Sequence, residues 1–208
     1  MKVLVIGAAG KTGKAVVEHA LAAGHDVTAF VHTIEGYSPD ARARVVAGDA
    51  RDRSAVDSAL LGQDAVIDTI GNKNPLKAGT LEASTAATIT AAMQSSGVRR
   101  LVVISMTGEG LSEANTNWWQ HLALSTFLRG EMKDKAAMEA TVDASGLEWI
   151  IVRPPFLNDD PGTGDIRVLS AETKETAHKL TRADLAAFMV AQLSSDEHLQ
   201  TAVAIANS

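Results

Sequence analysis

The chain has 208 residues, of which 46% are hydrophobic, 21% charged and only 4% aromatic; this suits one α/β domain filled by Ala, Val, Leu and Ile, and excludes global disorder. Its formal charge of −6 is the wrong sign for a nucleic-acid face, so no nucleic-acid partner is expected. With no cysteine there can be no disulfide, no thiolate nucleophile and no Cys-ligated zinc or iron–sulfur centre.

The opening run Val3-Leu4-Val5-Ile6 is too short for a signal-peptide core and predicts a first strand over 2–6. Further apolar runs of strand length stand at 27–31, 44–47, 65–70, 100–105, 147–152 and 201–206. Segments of helical period fall at 11–23, 52–61, 79–96, 131–145 and 182–194. Such alternation marks parallel βαβ units. Continuous runs such as Leu101-Val102-Val103-Ile104 fit strands covered on both faces. Gly24, Gly97 and Gly146 each stand where a helix must stop just before a strand. The segment 107–130 reads as an excursion over the C-terminal edge of the sheet, and Asp159-Asp160-Pro161-Gly162-Thr163-Gly164 as a turn-rich loop. No run approaches the ~18 apolar residues of a membrane span, so a soluble, cytoplasmic chain with no membrane partner is expected.

Gly7-Ala8-Ala9-Gly10-Lys11-Thr12-Gly13 follows the first strand and opens a helix. In that setting Gly7 allows the tight turn, Gly10 lets backbone approach a pyrophosphate, and Gly13 lets the helix pack against the sheet. The helix N-terminus then offers N–H groups and a partial positive charge to phosphates, with Ala9, Lys11 and Thr12 beside them. The expected fold is therefore α/β: a doubly wound Rossmann fold with a mostly parallel sheet and helices on both faces. It reads as a single NAD(P)-binding domain over 1–208, with a small substrate-side region at 107–130 and 156–181.

The glycine turn resembles the nucleotide fingerprint of atypical short-chain dehydrogenases, with NmrA-like or flavin-reductase-like (biliverdin-reductase-B-like) NAD(P)-binding domains. Val45-Val46-Ala47-Gly48-Asp49-Ala50-Arg51-Asp52 resembles that family's Gly-Asp element, and Asp64-Ala65-Val66-Ile67-Asp68-Thr69-Ile70-Gly71 its fourth strand. Ser145-Gly146-Leu147-Glu148-Trp149-Ile150-Ile151-Val152-Arg153-Pro154 resembles its SGLxxTIVRP signature, and Thr181-Arg182-Ala183-Asp184 its [ST]RxD helix start. The resemblance implies that Asp49 contacts adenine, that Ala50 lines its pocket, and that Ile70 and Gly71 pass the middle of the nucleotide. It also implies that Ser105 and Met106 lie at the nicotinamide, that Lys135 reaches the ribose hydroxyls, and that Pro154, Pro155 and Phe156 bring backbone to the carboxamide. Cofactor choice turns on the residue ending the second strand. That residue is His32, not an acid, so NADP is the expected cofactor, with Thr33 and Lys11 as further phosphate donors and NAD as the alternative.

Most short-chain dehydrogenases take their proton from a Tyr activated by a Lys four residues on. The one tyrosine here is Tyr37, with Ala41 four residues later, so that acid is absent. Ser105 and Lys135 remain as catalytic candidates. Hydride transfer to a small planar acceptor, a flavin, a quinone or the like, survives without a protein acid because solvent can deliver the proton. Trp118, Trp119, His121 and Phe156 are the candidates to line the acceptor. The six histidines are scattered without ligand spacing, and no metal site is expected. The alternatives are a non-catalytic NADP(H)-sensing regulator of NmrA type and a sugar epimerase or dehydratase. A monomer or homodimer acting on a small molecule is expected.

Overall fold

The computed structural model describes residues 1–72, 79–106, 129–169 and 179–208. In chain order the elements are β1 (Lys2–Ile6), α1 (Lys11–Ala22), β2 (Asp26–Val31), β3 (Arg44–Ala47), α2 (Arg53–Leu60), β4 (Ala65–Asp68) and α3 (Leu81–Ser96). There follow β5 (Arg100–Ile104), α4 (Arg129–Asp143), β6 (Glu148–Arg153), β7 (Leu157–Asn158), β8 (Ile166–Leu169), β9 (Leu180–Thr181), α5 (Arg182–Ala191) and β10 (Thr201–Asn207).

The central sheet runs β3-β2-β1-β4-β5-β6-β10-β8. Every pairing in it is parallel except β10 with β8. Strand alternation sends Val3, Val5, Ile67, Val102 and Ile150 to one face, where α1 and α5 cover them. Leu4, Ile6, Val66, Leu101, Val103 and Ile151 go to the other, beneath α2, α3 and α4. The doubly wound α/β expectation is met, with helices on both faces. None of the helices among the described residues is long and apolar enough to cross a membrane.

Two helix starts show how the sequence fixes its elements. α5 begins with a reciprocal cap, in which Thr181 Oγ1 accepts from the Asp184 N–H and donates to the Asp184 carboxylate. α3 has no such local cap at Thr80. Instead Asp134 of α4 accepts from the backbone N–H groups of Glu82 and Ala83, at 2.9 and 3.0 Å. A buried helix end needs some partner for its N–H groups, and a carboxylate also suits the positive end of the helix.

The loop expected over 159–164 is present, flanked by two short strands that the sequence reading did not mark. Leu157–Asn158 pairs with Leu180–Thr181 in a two-stranded sheet. Ile166–Leu169 extends the central sheet as an antiparallel edge, because Leu169 can bury itself against Ala204 and Ala206. The excursion expected over 107–130 lies outside the described residues up to 128, and its last two residues begin α4.

Candidate functional site

The chain winds from β1 outward to β2 and β3, then crosses back to β4 on the other side of β1. The carboxyl ends of β1 and β4 thus flank the switch point where open α/β sheets bind ligands. Gly7 stands there with φ +79°, and a Cβ on it would lie 3.0 Å from Ile70 N and from the Thr69 carbonyl carbon. Gly13 is still more constrained: its Cβ would come within 2.3 Å of Gly7 O and 2.7 Å of Ala8 Cα. At Gly10, a Cβ would meet only Gly7 O among the described residues, at 3.2 Å. Gly10 is also the N-cap of α1; no described side chain caps that end, and no acid lies in the first turn. Ala9, Gly10 and Lys11 are exposed and Thr12 half-buried, so this helix end is open to an anion.

At the next strand outward, His32 and Thr33 are exposed just past β2. Gly48 follows β3, its N–H donating to Val31 O, and Phe30 Cζ fills the space a Cβ would need at 2.7 Å. Asp49 comes next. Its carboxylate accepts from Arg51 Nε, Nη2 and backbone N–H at 3.0, 2.7 and 2.9 Å. The hydrogen bonds from the Arg51 side chain and backbone, with His32 nearby as a weaker influence, hold Asp49 down at about 2. Ala50 is buried beneath it. Arg51, which the motifs did not single out, brings to this rim the guanidinium that fixes Asp49.

Toward the middle of the sheet, Ile70 is half-buried and Gly71 exposed. Ser105 continues the β5 ladder, with its N–H 2.7 Å from Val152 O. It is buried, and its Oγ has no hydrogen-bond partner among the described residues. Met106 beside it is half-buried. Pro154 and Pro155 are buried after β6, while Phe156 is 61% exposed at the rim. Trp118, Trp119 and His121 lie outside the described residues.

Lys135 does not present a free ammonium to this rim. Its Nζ sits 2.6 Å from Glu82 Oε2, and both side chains are buried. This places Lys135 between α3 and α4, where a buried ammonium has the carboxylate it needs at hand. Tyr37, set aside as an acid, is buried against the core near α1, where burial and Glu18 raise its phenol pKa.

Sequence reasoning missed three further arrangements. Arg153 donates from Nε to Glu139 at 2.9 Å, with a second contact from Nη2, so this arginine of the signature ties β6 to α4. Asp184 accepts from the Thr163 and Gly164 N–H groups, Thr163 Oγ1, Thr181 Oγ1 and Asn207 Nδ2, so the [ST]RxD start is a knot holding the 162–165 loop. Lys11 and Arg182 both contact Asp159, at 2.7 and 2.5 Å. One signal was present for the first. Lys135, Met138, Glu139 and Val142 share a helix face by spacing, so charge falls on the face that Met138 and Val142 bury.

The rim fits a dinucleotide on its own geometry. Gly10 leaves the space a diphosphate needs above an uncapped helix end, and the orphaned Ser105 hydroxyl waits two strands away. A cavity of about 330 Å³ lined by Lys2, Asp26, Thr28 and Arg44 opens at the opposite end of the strands, away from these groups.

A family model described as NAD(P)H-binding matches residues 7–196. An uncharacterised chloroplastic protein of Arabidopsis thaliana is 28% identical, over 79% of this chain and 62% of its own length, so the chain spans less than two thirds of that relative. Among solved structures, the anaerobilin reductase ChuY of Escherichia coli O157:H7 has a TM-score of 0.82 at 24% identity, covering 100% of this chain and 97% of its own. A wide-type short-chain dehydrogenase/reductase of Veillonella parvula, solved with NADP, has a TM-score of 0.82 at 16% identity, covering 99% and 94%. These two likenesses establish the fold.

Proposed function

The chain belongs to the NAD(P)H-binding family, and on that premise we propose that it is an NAD(P)H-dependent oxidoreductase that reduces a small planar acceptor without a tyrosine acid. The observation that carries the reading is the pairing of a glycine-lined helix end with the buried hydroxyl of Ser105 across the switch point, neither of them capped or partnered by a side chain among the described residues. When bound, the reduced nicotinamide supplies the hydride. Gly7, Ala9, Gly10 and the first turn of α1 hold the diphosphate, Asp49 and Ala50 the adenine, and Ser105, Met106, Pro154 and Pro155 the nicotinamide end. Lys135 acts here by positioning, through Glu82.

NADP is the favoured cofactor. His32 and Thr33 offer donors and no acid at the end of β2, and Arg51 adds a guanidinium on the same rim. Phe156, with an exposed ring at the rim, is the described candidate to stack on the acceptor. Flavins and quinones suit such a site because solvent can protonate them once reduced.

The test is titration of the purified protein with NADPH and NADH, followed by a screen of flavin, quinone and azo acceptors. Tight NADPH binding and acceptor-dependent oxidation support the reading; binding without oxidation by any acceptor supports the second reading, a non-catalytic NADP(H) sensor. The missing Tyr-x-x-x-Lys acid, with Ala41 four residues after Tyr37, favours that second reading.

A further inference from the structure

Beneath the rim, on the sheet face that α3 and α4 cover, lies a layer of buried charge of which the proposed reduction uses only the Lys135–Glu82 pair. β4 contributes Asp68, α3 Glu82, α4 Asp134, Lys135 and Glu139, and β6 Arg153. Most of these are matched. Glu139 has Arg153, Glu82 has Lys135, and Asp134 has two backbone N–H groups at the start of α3. Asp68 is the exception. It is 4% exposed, its one hydrogen bond among the described residues is from Ile70 N–H at 2.9 Å, and the cation that acts on it, Lys135, has its ammonium on Glu82. A buried carboxyl with so few donors holds its proton to a higher pH than an exposed one. Consistent with this, burial outweighs the Ile70 bond and the Lys135 charge and pushes Asp68 up to about 6.

Asp68 pairs with Val103 across the β4–β5 ladder. Ser105 stands two residues further toward the rim, and alternation puts it on the Val103 face with Asp68. With parallel strands about 4.8 Å apart and a rise of about 3.3 Å per residue, neighbours two positions out of register stand roughly 8 Å apart at the backbone, a gap that the two side chains and one water can span. Ser105 Oγ, with no partner among the described residues, can turn either way.

We propose that Asp68 stores the proton consumed in acceptor reduction and passes it on through the Ser105 hydroxyl, in place of the absent tyrosine. This rests on the functional reading above. In the step, the Asp68 O–H bond breaks and an O–H bond forms at Ser105 Oγ, whose own proton leaves to the reduced acceptor. Both electrons reach the acceptor with the hydride of the reduced nicotinamide nucleotide, and a solvent proton restores Asp68. Asp68 touches neither reactant; it acts through Ser105.

The experiment is calorimetric titration of the protein with oxidised NADP and NAD near pH 6, in buffers of different ionisation enthalpy. The cationic nicotinamide near Asp68 favours its carboxylate, so the wild type releases a fraction of a proton on binding and Asp68→Asn loses that release. Binding without buffer-dependent release, or equal release from Asp68→Asn, overturns the proposal alone. No binding of either nucleotide to the wild type overturns the functional reading and the proposal with it. Infrared spectra of the wild type give a measurement free of any variant: a neutral-carboxyl band titrating near pH 6 and diminished by nucleotide supports the store, and its absence overturns it. In turnover, Asp68→Asn and Ser105→Ala each slow acceptor reduction by roughly 10²-fold or more, and only Ser105→Ala retains proton release on binding. Unimpaired turnover in both overturns the relay.

Discussion

Gly7 O lies 2.3 Å from the point where a Cβ on Gly13 would stand, whereas a Cβ on Gly10 would lie 3.2 Å from that same oxygen. The two glycines of one turn are therefore required for different reasons. Gly13→Ala must push α1 off the sheet and should lower stability by about 2–3 kcal/mol, as overpacking of a close contact does. Gly10→Ala should leave the melting temperature within a few degrees while weakening nucleotide binding by roughly ten-fold or more. Denaturant unfolding and nucleotide titration of both variants separate the effects; equal melting temperatures would show that the two positions share one role.

Lys135 and Glu82 make a buried pair between α4 and α3. Removing one partner strands the other, so Lys135→Met should cost about 3–5 kcal/mol. Adding Glu82→Leu should recover a large share of that loss, since a packed apolar pair replaces a buried ionic one at little net cost. A double-mutant cycle in urea reads the coupling, and additive single effects would refute it.

Asp184 is held down at about 2, because hydrogen bonds from Thr163, Gly164, Asn207 and Thr181 outweigh the burial that would raise it. A carboxyl whose folded pKa lies below its ordinary 3.8 stabilises the fold above that value, and the contribution is lost as the pH falls toward 2. Asp184→Asn should lose about 2–3 kcal/mol at neutral pH, since its amide cannot accept from so many donors. Its stability should also fall less steeply than the wild type's between pH 4 and 2, as thermal melts across that range would show.

His32→Asp places a carboxylate at the end of β2, where it repels a 2′-phosphate and accepts from a 2′-hydroxyl. The ratio of NADPH to NADH affinity should fall by roughly ten-fold or more. Arg51→Ala should weaken both nucleotides by freeing Asp49 to rotate, with a larger loss for NADPH. An unchanged ratio in His32→Asp would remove that residue from cofactor choice.

Much of this architecture is readable from the residues alone, for a physical reason. β1 and β5 begin where their expected runs begin, because a strand buried on both faces can carry no polar alternation, and the half-exposed edge strand β3 is marked by Val45-Val46. The glycine turn is equally legible, since its steric demands fall on neighbours a few residues apart. β8 escaped notice because an edge strand of Ile-Arg-Val-Leu, with Arg167 and Val168 exposed, lacks the full burial that marks the inner strands. The pairs that tie the elements together join residues far apart in the chain, Glu82 to Lys135 across 53 positions beneath the rim and Thr163 to Asp184 across 21 at the start of α5. No local period encodes such contacts. Lys135 shows the consequence: nothing in its own stretch of chain names Glu82 as its partner.

Lys135 and Glu139 leave α4 one turn apart and grip different partners, Glu82 on α3 and Arg153 on β6. A helix bolted at two successive turns, to a neighbour on one side and to the floor below, cannot roll about its long axis by even a single residue without shearing both fastenings. Its orientation against the sheet and α3 is thereby keyed like a lock barrel.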